Sequence, residues 1–558
     1  MHRADGGDVL TSLARYWRTV RHLRPGQVVH RVVFRMARPA VDHRPAPSLR
    51  PSLRAAWLPP AENEQSLFGQ TRVRLLGLEG NIDDGGWDDS AKMKLWRYNL
   101  HYFDDLTGAN AAGRAPWHTE LMNRWVRDNP PALGTGWEPY PTSLRIVNWV
   151  NWWVAGGDLP ASCVESLAIQ ARWLTRRLER HLLGNHLFAN AKALLFAGAA
   201  FDGPEAASWI TRGTSILATE IPEQILPDGG QFERSPMYHT LALEDVLDLR
   251  NLALAAASSG DFRLEAVGAM CAARVEPMRR WMRLMAHPDA DVSFFNDTAM
   301  GIAPSPAVLE DYAMRLGYPP SAPAVDGVTL LADSGYARLE NADAVVIVDV
   351  GPVGPDYLPA HAHADTLSCE FSFRGQRVLV NSGTSEYGDG PERHRQRGTS
   401  AHNTVVIDGI DSSEVWSGFR VGRRARPMAV RLARAGAIGI AAAHDGYRHL
   451  PGSLVHRRSW ELDRESFSIE DTLSGVPVTA EARWHVHPDV AVGAVSPDGK
   501  SVSLQLPNGR ELTLRVEGAR LNVEPATWHP RFGECLPTRC VVARFGGAVV
   551  RTRVDWSA

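Results

Sequence analysis

The feature that most limits what this chain can fold into is a change of hydrophobic period at "YPPSAPAVDG", residues 318–327. Ahead of it, from about residue 85, apolar residues recur at helical spacing. Leu167, Ala171, Leu174, Leu178 and Leu182 mark one such face. The pattern predicts further helices over 115–128, 142–155, 187–201, 205–221, 237–258, 262–286 and 305–316, joined by short Gly, Pro and Asp breaks. Similar helices on short loops pack as antiparallel hairpins, in a bundle or a closed ring. Beyond residue 327 the runs are short and alternating, as in "AVVIVDV", "TLSCEFSF", "RVLVNSG" and "NTVVIDG". They read as an antiparallel sandwich. In "FSFRGQRVLV", Gly375 is expected at the first central position of a type II′ turn, which sets Asn381 opposite Glu370.

Three regions follow: a basic helical start and Pro-rich connector over 1–80, a helical domain over 81–320, and an antiparallel β-sandwich over 321–558. A length of 558 residues favours such division. The start, "MHRADGGDVLTSLARYWRTVRHLRPGQ", is amphipathic and basic but lacks the apolar core of a signal peptide. No run reaches the ~20 apolar residues of a membrane span. The default expectation is a cytoplasmic protein, or export by a route the sequence does not display. Oligomeric state is not readable. A net charge of −3 gives no field for nucleic acid, although "RHRQR" and "FRVGRRARP" are local basic clusters. Five cysteines make no framework; Cys535 and Cys540 could pair in an oxidising compartment. Eighteen tryptophans supply core material or platforms for sugar faces.

Several residues could carry chemistry. In "LLGNHLFANAKALLF", Gly184 reads as a helix stop, and Asn185–His186 opens the next helix with Asn185 as N-cap or site residue. In "DGGQFERSPMYH", Ser235 and Pro236 read as N-cap and N1, placing Tyr238 in the first helical turn, where the helix dipole would favour a phenolate. Glu233 and Asp228 form a carboxylate pair nearby, as a glycosidase would need. The polar loop 287–304 could line or close a groove. In "DYLPAHAHADTLSCEF", His361, His363 and Asp365 have the H-x-H-x-D form of some metallohydrolases, but a strand follows rather than an α/β context. Together with His402, these histidines could hold a metal or simply hydrogen-bond.

Read together, "NLHYFDDL", "WEPYPTSLRIVNWVNW", "GNHLFANAKALLFAG", "DGGQFERSPMYH", "HAHADTLSCEFSFRGQRVLVNSGT" and "AHNTVVIDG" resemble the heparinase II/III-like polysaccharide lyases over roughly residues 90–460. The resemblance implies an (α/α) toroid followed by a β-sandwich, and β-elimination at a uronic acid of an anionic polysaccharide. It assigns Asn185 to neutralising the uronate carboxylate and matches His186 to the catalytic-site histidine beside that asparagine. Tyr238 becomes the proton donor to the leaving oxygen, and for one epimer also the base. His361 becomes the base from the opposite face. It makes His363, His402 and Asn381 the ligand set of a structural zinc-like ion, with no cofactor needed for the chemistry. The family carries an aspartate at the Asn381 position, and an amide there weakens divalent binding. Ala189 stands where some members have glutamate. Glu233, His239, Arg393, Arg395, Arg397 and Arg420 are the expected substrate contacts. Two other readings stand beside the lyase: a glycan-binding or assembly factor that keeps the fold without turnover, and a hydrolase using Glu233 and Asp228.

Overall fold

The computed structural model describes residues 6–556, apart from 324, 435 and 476–478, with the side chains of 6–12 also left aside. Helices dominate to Arg315 and antiparallel strands from Gly327. The fold class is therefore α+β, a helical domain followed by a sheet domain.

The helical period locates the hairpins closely. Helices occupy Ala115–Asp128, Pro139–Val154, Ala161–Arg176, Gly184–Ala200, Gly203–Gln224, Pro236–Ala255, Phe262–Leu284 and Pro306–Arg315. Several open on proline in the first turn, where the missing N–H costs nothing. One apolar core runs through them. Its densest part is aromatic: Trp125 donates Nε1–H to His101 Nδ1 at 2.9 Å and packs edge-on against Trp149. The buried Arg145 guanidinium lies 3.7 Å over the Trp125 ring and donates to Gly136 O, His101 O and Gln170 Oε1. Such a charge is tolerated because its donors are met.

Leu178 and Leu182 fall after the Ala161–Arg176 helix, which stops earlier than the repeat implies. Gly184 does not close that helix. It opens the next, at φ +55°, after Leu183 at φ +64°. A Cβ there would meet Leu358 Cδ2 at 2.4 Å, so glycine lets the sheet domain's 355–360 loop approach the helix start. The connector also holds an unexpected hairpin, Arg72–Leu75 with Leu78–Asn81.

The sheet domain has three principal antiparallel sheets of five, eight and four strands around a shared apolar core. The five-stranded sheet runs in sequence order from Gly327–Leu331 to Gln376–Leu379. Its last hairpin turns on Arg374 and Gly375, both at positive φ, so the turn is of the I′ kind, one residue earlier than expected. A bulge between Phe371 and Ser372 recovers one of the two residues of register this costs, leaving Phe371 opposite Leu379, and Glu370 Oε1 accepts the Asn381 N–H at 2.6 Å. All five cysteines are free, with Cys540 buried and Cys535 exposed.

Candidate active site

A cavity of about 600 Å³ opens between the helical hairpins and the sheet domain. Asn185, His186, Tyr238, His361 and Glu233 all line it. It has no tryptophan among its described lining residues; Tyr98, Tyr102, Tyr140, Tyr238 and Tyr387 supply the aromatic surface. Most of the tryptophans went to the core, and these five tyrosines, with a hydroxyl to offer, face the space a sugar would fill.

Ser235 caps the Pro236–Ala255 helix as the sequence implies, its Oγ accepting from Tyr238 N–H at 3.1 Å. Tyr238 therefore sits in the first turn. The phenolate expected there is not favoured: burial raises the Tyr238 pKa well above its ordinary value, and the Tyr387 phenol beside it adds to the shift. Its hydroxyl is 3.1 Å from that of Tyr387. Tyr238 is a neutral phenol, a proton donor in waiting.

The His361 ring stacks on Tyr238 with centroids 3.9 Å apart and planes 29° off parallel. The two are neighbours, not opposed across the gap as the sequence suggested. His361 Nδ1 lies 2.9 Å from Asp297 Oδ2, and Nε2 lies 3.8 Å from Glu233 Oε2. A carboxylate on Nδ1 fixes the proton there and leaves Nε2 as a base facing the cavity.

Asp297 was not singled out by sequence; it lay within the polar 287–304 loop. It is fully buried and also bonds His363 Nε2 at 2.8 Å and Arg393 through both guanidinium nitrogens. Burial alone would raise its pKa, but Arg393 and the two imidazoles hold the carboxyl well below the usual range. The one available signal was an Asp after "SFFN" beside a polar turn, too generic to select.

Asn185 is not an N-cap: the Gly184–Ala200 helix has no side-chain cap, and the amide lies within its first turn beside the Tyr140 phenol. His186 Nδ1 is 3.1 Å from Glu179 Oε1 and its ring packs on Tyr140. Burial opposes its charged form, yet Glu179 outweighs that and lifts the His186 pKa above the ordinary value. Glu233 is buried, with Oε2 unpartnered, and burial pushes its pKa up.

Other expected contacts do not reach the cavity. His239 is buried against Trp281, its Nε2 3.0 Å from Met278 O. Arg393 is spent on Asp297, and buried Arg397 donates to Ala362 O and Ser417 O. Arg395 pairs with Glu392, and Arg420 lies over Trp416 on the surface. No arginine lines the cavity among the described residues. The "RHRQR" helix faces inward because its guanidiniums tie loops together. Asp228 accepts from Ser334 N and Oγ, so the Glu233/Asp228 pair of a hydrolase does not form. Asp365 binds the Asn296 N–H rather than a metal.

The far arm of the cavity is acceptor-rich. Asp104, Glu244, Asp245 and Asp248 surround Lys192, whose Nζ is 2.7 Å from Asp245 and 2.6 Å from Asp248. Burial pushes Asp104 up to about 6. Asn151 Oδ1 faces this arm without a partner.

His363 Nδ1 and His402 Nε2 approach to 3.1 Å. Two imidazoles suit zinc, but the third position fails: Asn381 Oδ1 already accepts the Asn403 N–H at 3.0 Å. Among the described residues no three His, Cys, Asp or Glu side chains gather in metal-ligating geometry. The donor set does not fit a structural divalent ion.

Comparison with known proteins places both halves. Residues 117–316 match the "Heparinase II/III N-terminus" family and residues 325–557 the "Heparinase II/III-like, C-terminal" family. A heparin-sulfate lyase of Bacteroides stercoris is 24% identical over 61% of this chain, and the match spans about half (52%) of that protein. "FtsZ-localized protein C" of Caulobacter vibrioides is 25% identical over 91% of this chain and 90% of its own length. Among solved structures, heparinase III superposes with a TM-score of 0.68 at 16% identity, covering 95% of this chain and 89% of that one.

Proposed function

Since the chain belongs to the heparinase II/III-like family, we propose that it cleaves a uronate-containing polysaccharide by β-elimination, leaving a 4,5-unsaturated uronate at the new end. The observation that carries this reading is the stacked His361–Tyr238 pair, with Asp297 behind the base and a neutral phenol beside it.

The chemistry demands three things. The uronate carboxylate must be neutralised so that the C5 proton becomes removable, a base must reach that proton, and an acid must reach O4. Asn185 and His186 supply donors for the carboxylate, and Glu233, its pKa pushed up by burial, lines the same space. His361 Nε2 takes the C5 proton. As the C4–O4 bond breaks, Tyr238 gives its phenolic proton to the leaving oxygen, and the C5 electron pair becomes the C4–C5 double bond.

Stacked rings put base and acid on one side of the sugar, which suits removal of H5 and O4 from the same face. In a glucuronate these two lie on one face, and in an iduronate on opposite faces. The arginine-free, carboxylate-lined cavity suits an unsulfated chain with hydroxyl or amine donors. The reading is therefore a lyase for an unsulfated glucuronate polymer. A panel of uronate polysaccharides followed for the absorbing 4,5-double bond tests it; no unsaturated product from any member counts against it.

A second reading draws on the near full-length relative named for FtsZ localisation. Under it, the cleft binds envelope glycan without turning it over. Glycan binding with no unsaturated product would favour this reading.

A further inference from the structure

Nine of the 21 exposed large hydrophobic side chains among the described residues fall within residues 13–36. They sit on the two N-terminal helices, Gly6–Val20 and Pro25–Met36. At 100° per residue, Val28, Val29, Val32, Val33 and Met36 fall within about a 140° arc of the second helix. Leu13, Tyr16, Trp17 and Val20 fall within about 100° on the first. Trp17 is 66% exposed and Met36 77%.

The helices dock by other faces. Arg18 forms a two-point ion pair with Glu414, at 2.8 and 2.7 Å, and Thr19 Oγ1 accepts from Trp416 Nε1. On the second helix, Gln27 is buried and bonds Tyr357 O, while the Phe34 ring lies under the Arg177 guanidinium at 3.7 Å. On a helical wheel Gln27 and Phe34 lie opposite the valine arc. A stable surface helix ordinarily turns its apolar arc inward; this one turns it out.

Charge selects the partner. Residues 1–38 carry eight arginines and two aspartates in a chain of net charge −3. Arg21, Arg31, Arg35 and Arg38 are exposed and join no ion pair among the described residues. Arg31 and Arg35 border the valine arc. Joining two copies through this face would press like charges together, whereas an anionic bilayer complements both the arc and its arginines.

We propose that the two N-terminal helices anchor the protein to an anionic membrane surface, with the valine and tryptophan arcs at the acyl-chain boundary and the free arginines on lipid phosphates. The second helix bonds the loop that carries Leu358 and Ala360 into the cleft, so anchoring holds the cleft beside the membrane. No helix among the described residues is long and apolar enough to cross a bilayer, so the attachment is interfacial. This inference stands independently of the catalytic reading.

Flotation of the full chain with phosphatidylglycerol-containing and with pure phosphatidylcholine vesicles tests it. The wild type is expected to float with the anionic vesicles and bind neutral ones at least about tenfold more weakly. Val29→Asp with Val32→Asp should lose flotation by at least about tenfold while keeping the wild-type Tm, and Arg31→Glu with Arg35→Glu should lose the anionic preference. The proposal is overturned if the wild type stays unbound, if the aspartate variant floats as well as wild type, or if gel filtration shows a dimer that this variant dissolves.

Discussion

Asp297 accepts the Nδ1–H of His361 at 2.9 Å from a loop 64 residues upstream, so the histidine proposed as base, in the sheet domain, is oriented by a polar loop of the helical domain. The same carboxylate binds His363 and Arg393, which makes it a joint between the two domains as well as the support of the His361 ring.

Asp297→Asn should therefore act twice. Loss of the fixed tautomer is expected to lower kcat by ~10²–10⁴-fold, the range for removing the carboxylate behind a catalytic histidine. Leaving Arg393 buried and uncompensated should cost about 3–5 kcal/mol of stability. A pH–rate profile separates the effects: a positioning role moves the acidic limb, which reports the base, while a purely structural one lowers active fraction with the profile unchanged.

Tyr238→Phe keeps the stacked ring and removes the proton. Turnover should fall by about 10²–10⁴-fold, with Tm within a few degrees of wild type. Normal production of unsaturated uronate by this variant would remove Tyr238 from the mechanism.

Substrate preference follows from the lining. An unsulfated glucuronate polymer should exceed its sulfated counterpart in kcat/KM by at least about tenfold, since no cavity arginine meets a sulfate and each mispaired charge costs more than about 1.4 kcal/mol. An iduronate-rich chain should be a poor substrate. Equal rates on glucuronate and iduronate would contradict the same-face geometry. These comparisons use initial rates of double-bond formation.

Acid stability is set by buried neutral imidazoles. Burial lowers His101, His239 and His485 each to about 3. Between pH 6.5 and 3 the unfolded chain binds these protons and the native state does not, so stability falls as pH drops. The slope is about 1.4 kcal/mol per unit per group as an upper bound. Denaturant melts at pH 7.5 and 5 check it; His239→Gln should flatten the dependence.

Much of the fold was legible because its two periods are clean. Ser235-Pro236 announced a helix start, and Tyr238 followed from it. The resemblance to the lyases then brought Asn185, Tyr238 and His361 together, and all three line one cavity. What sequence could not carry was partnership. Whether an arginine faces a polymer or a neighbouring carboxylate depends on contacts far apart in the chain, and Arg393 meets Asp297 across 96 residues. Asp297 had no local pattern to mark it. The type of turn at Arg374–Gly375, and the bulge at Phe371–Ser372 that recovers only part of the register, left no mark in the local sequence.

The most direct test is a mass balance on the products from an unsulfated glucuronate polymer. β-Elimination predicts fragments whose masses sum to the parent chain, one of each pair ending in a 4,5-unsaturated uronate, formed about 10²–10⁴-fold more slowly by Tyr238→Phe. Fragments that together gain one water per cut, with no double bond, would contradict the account.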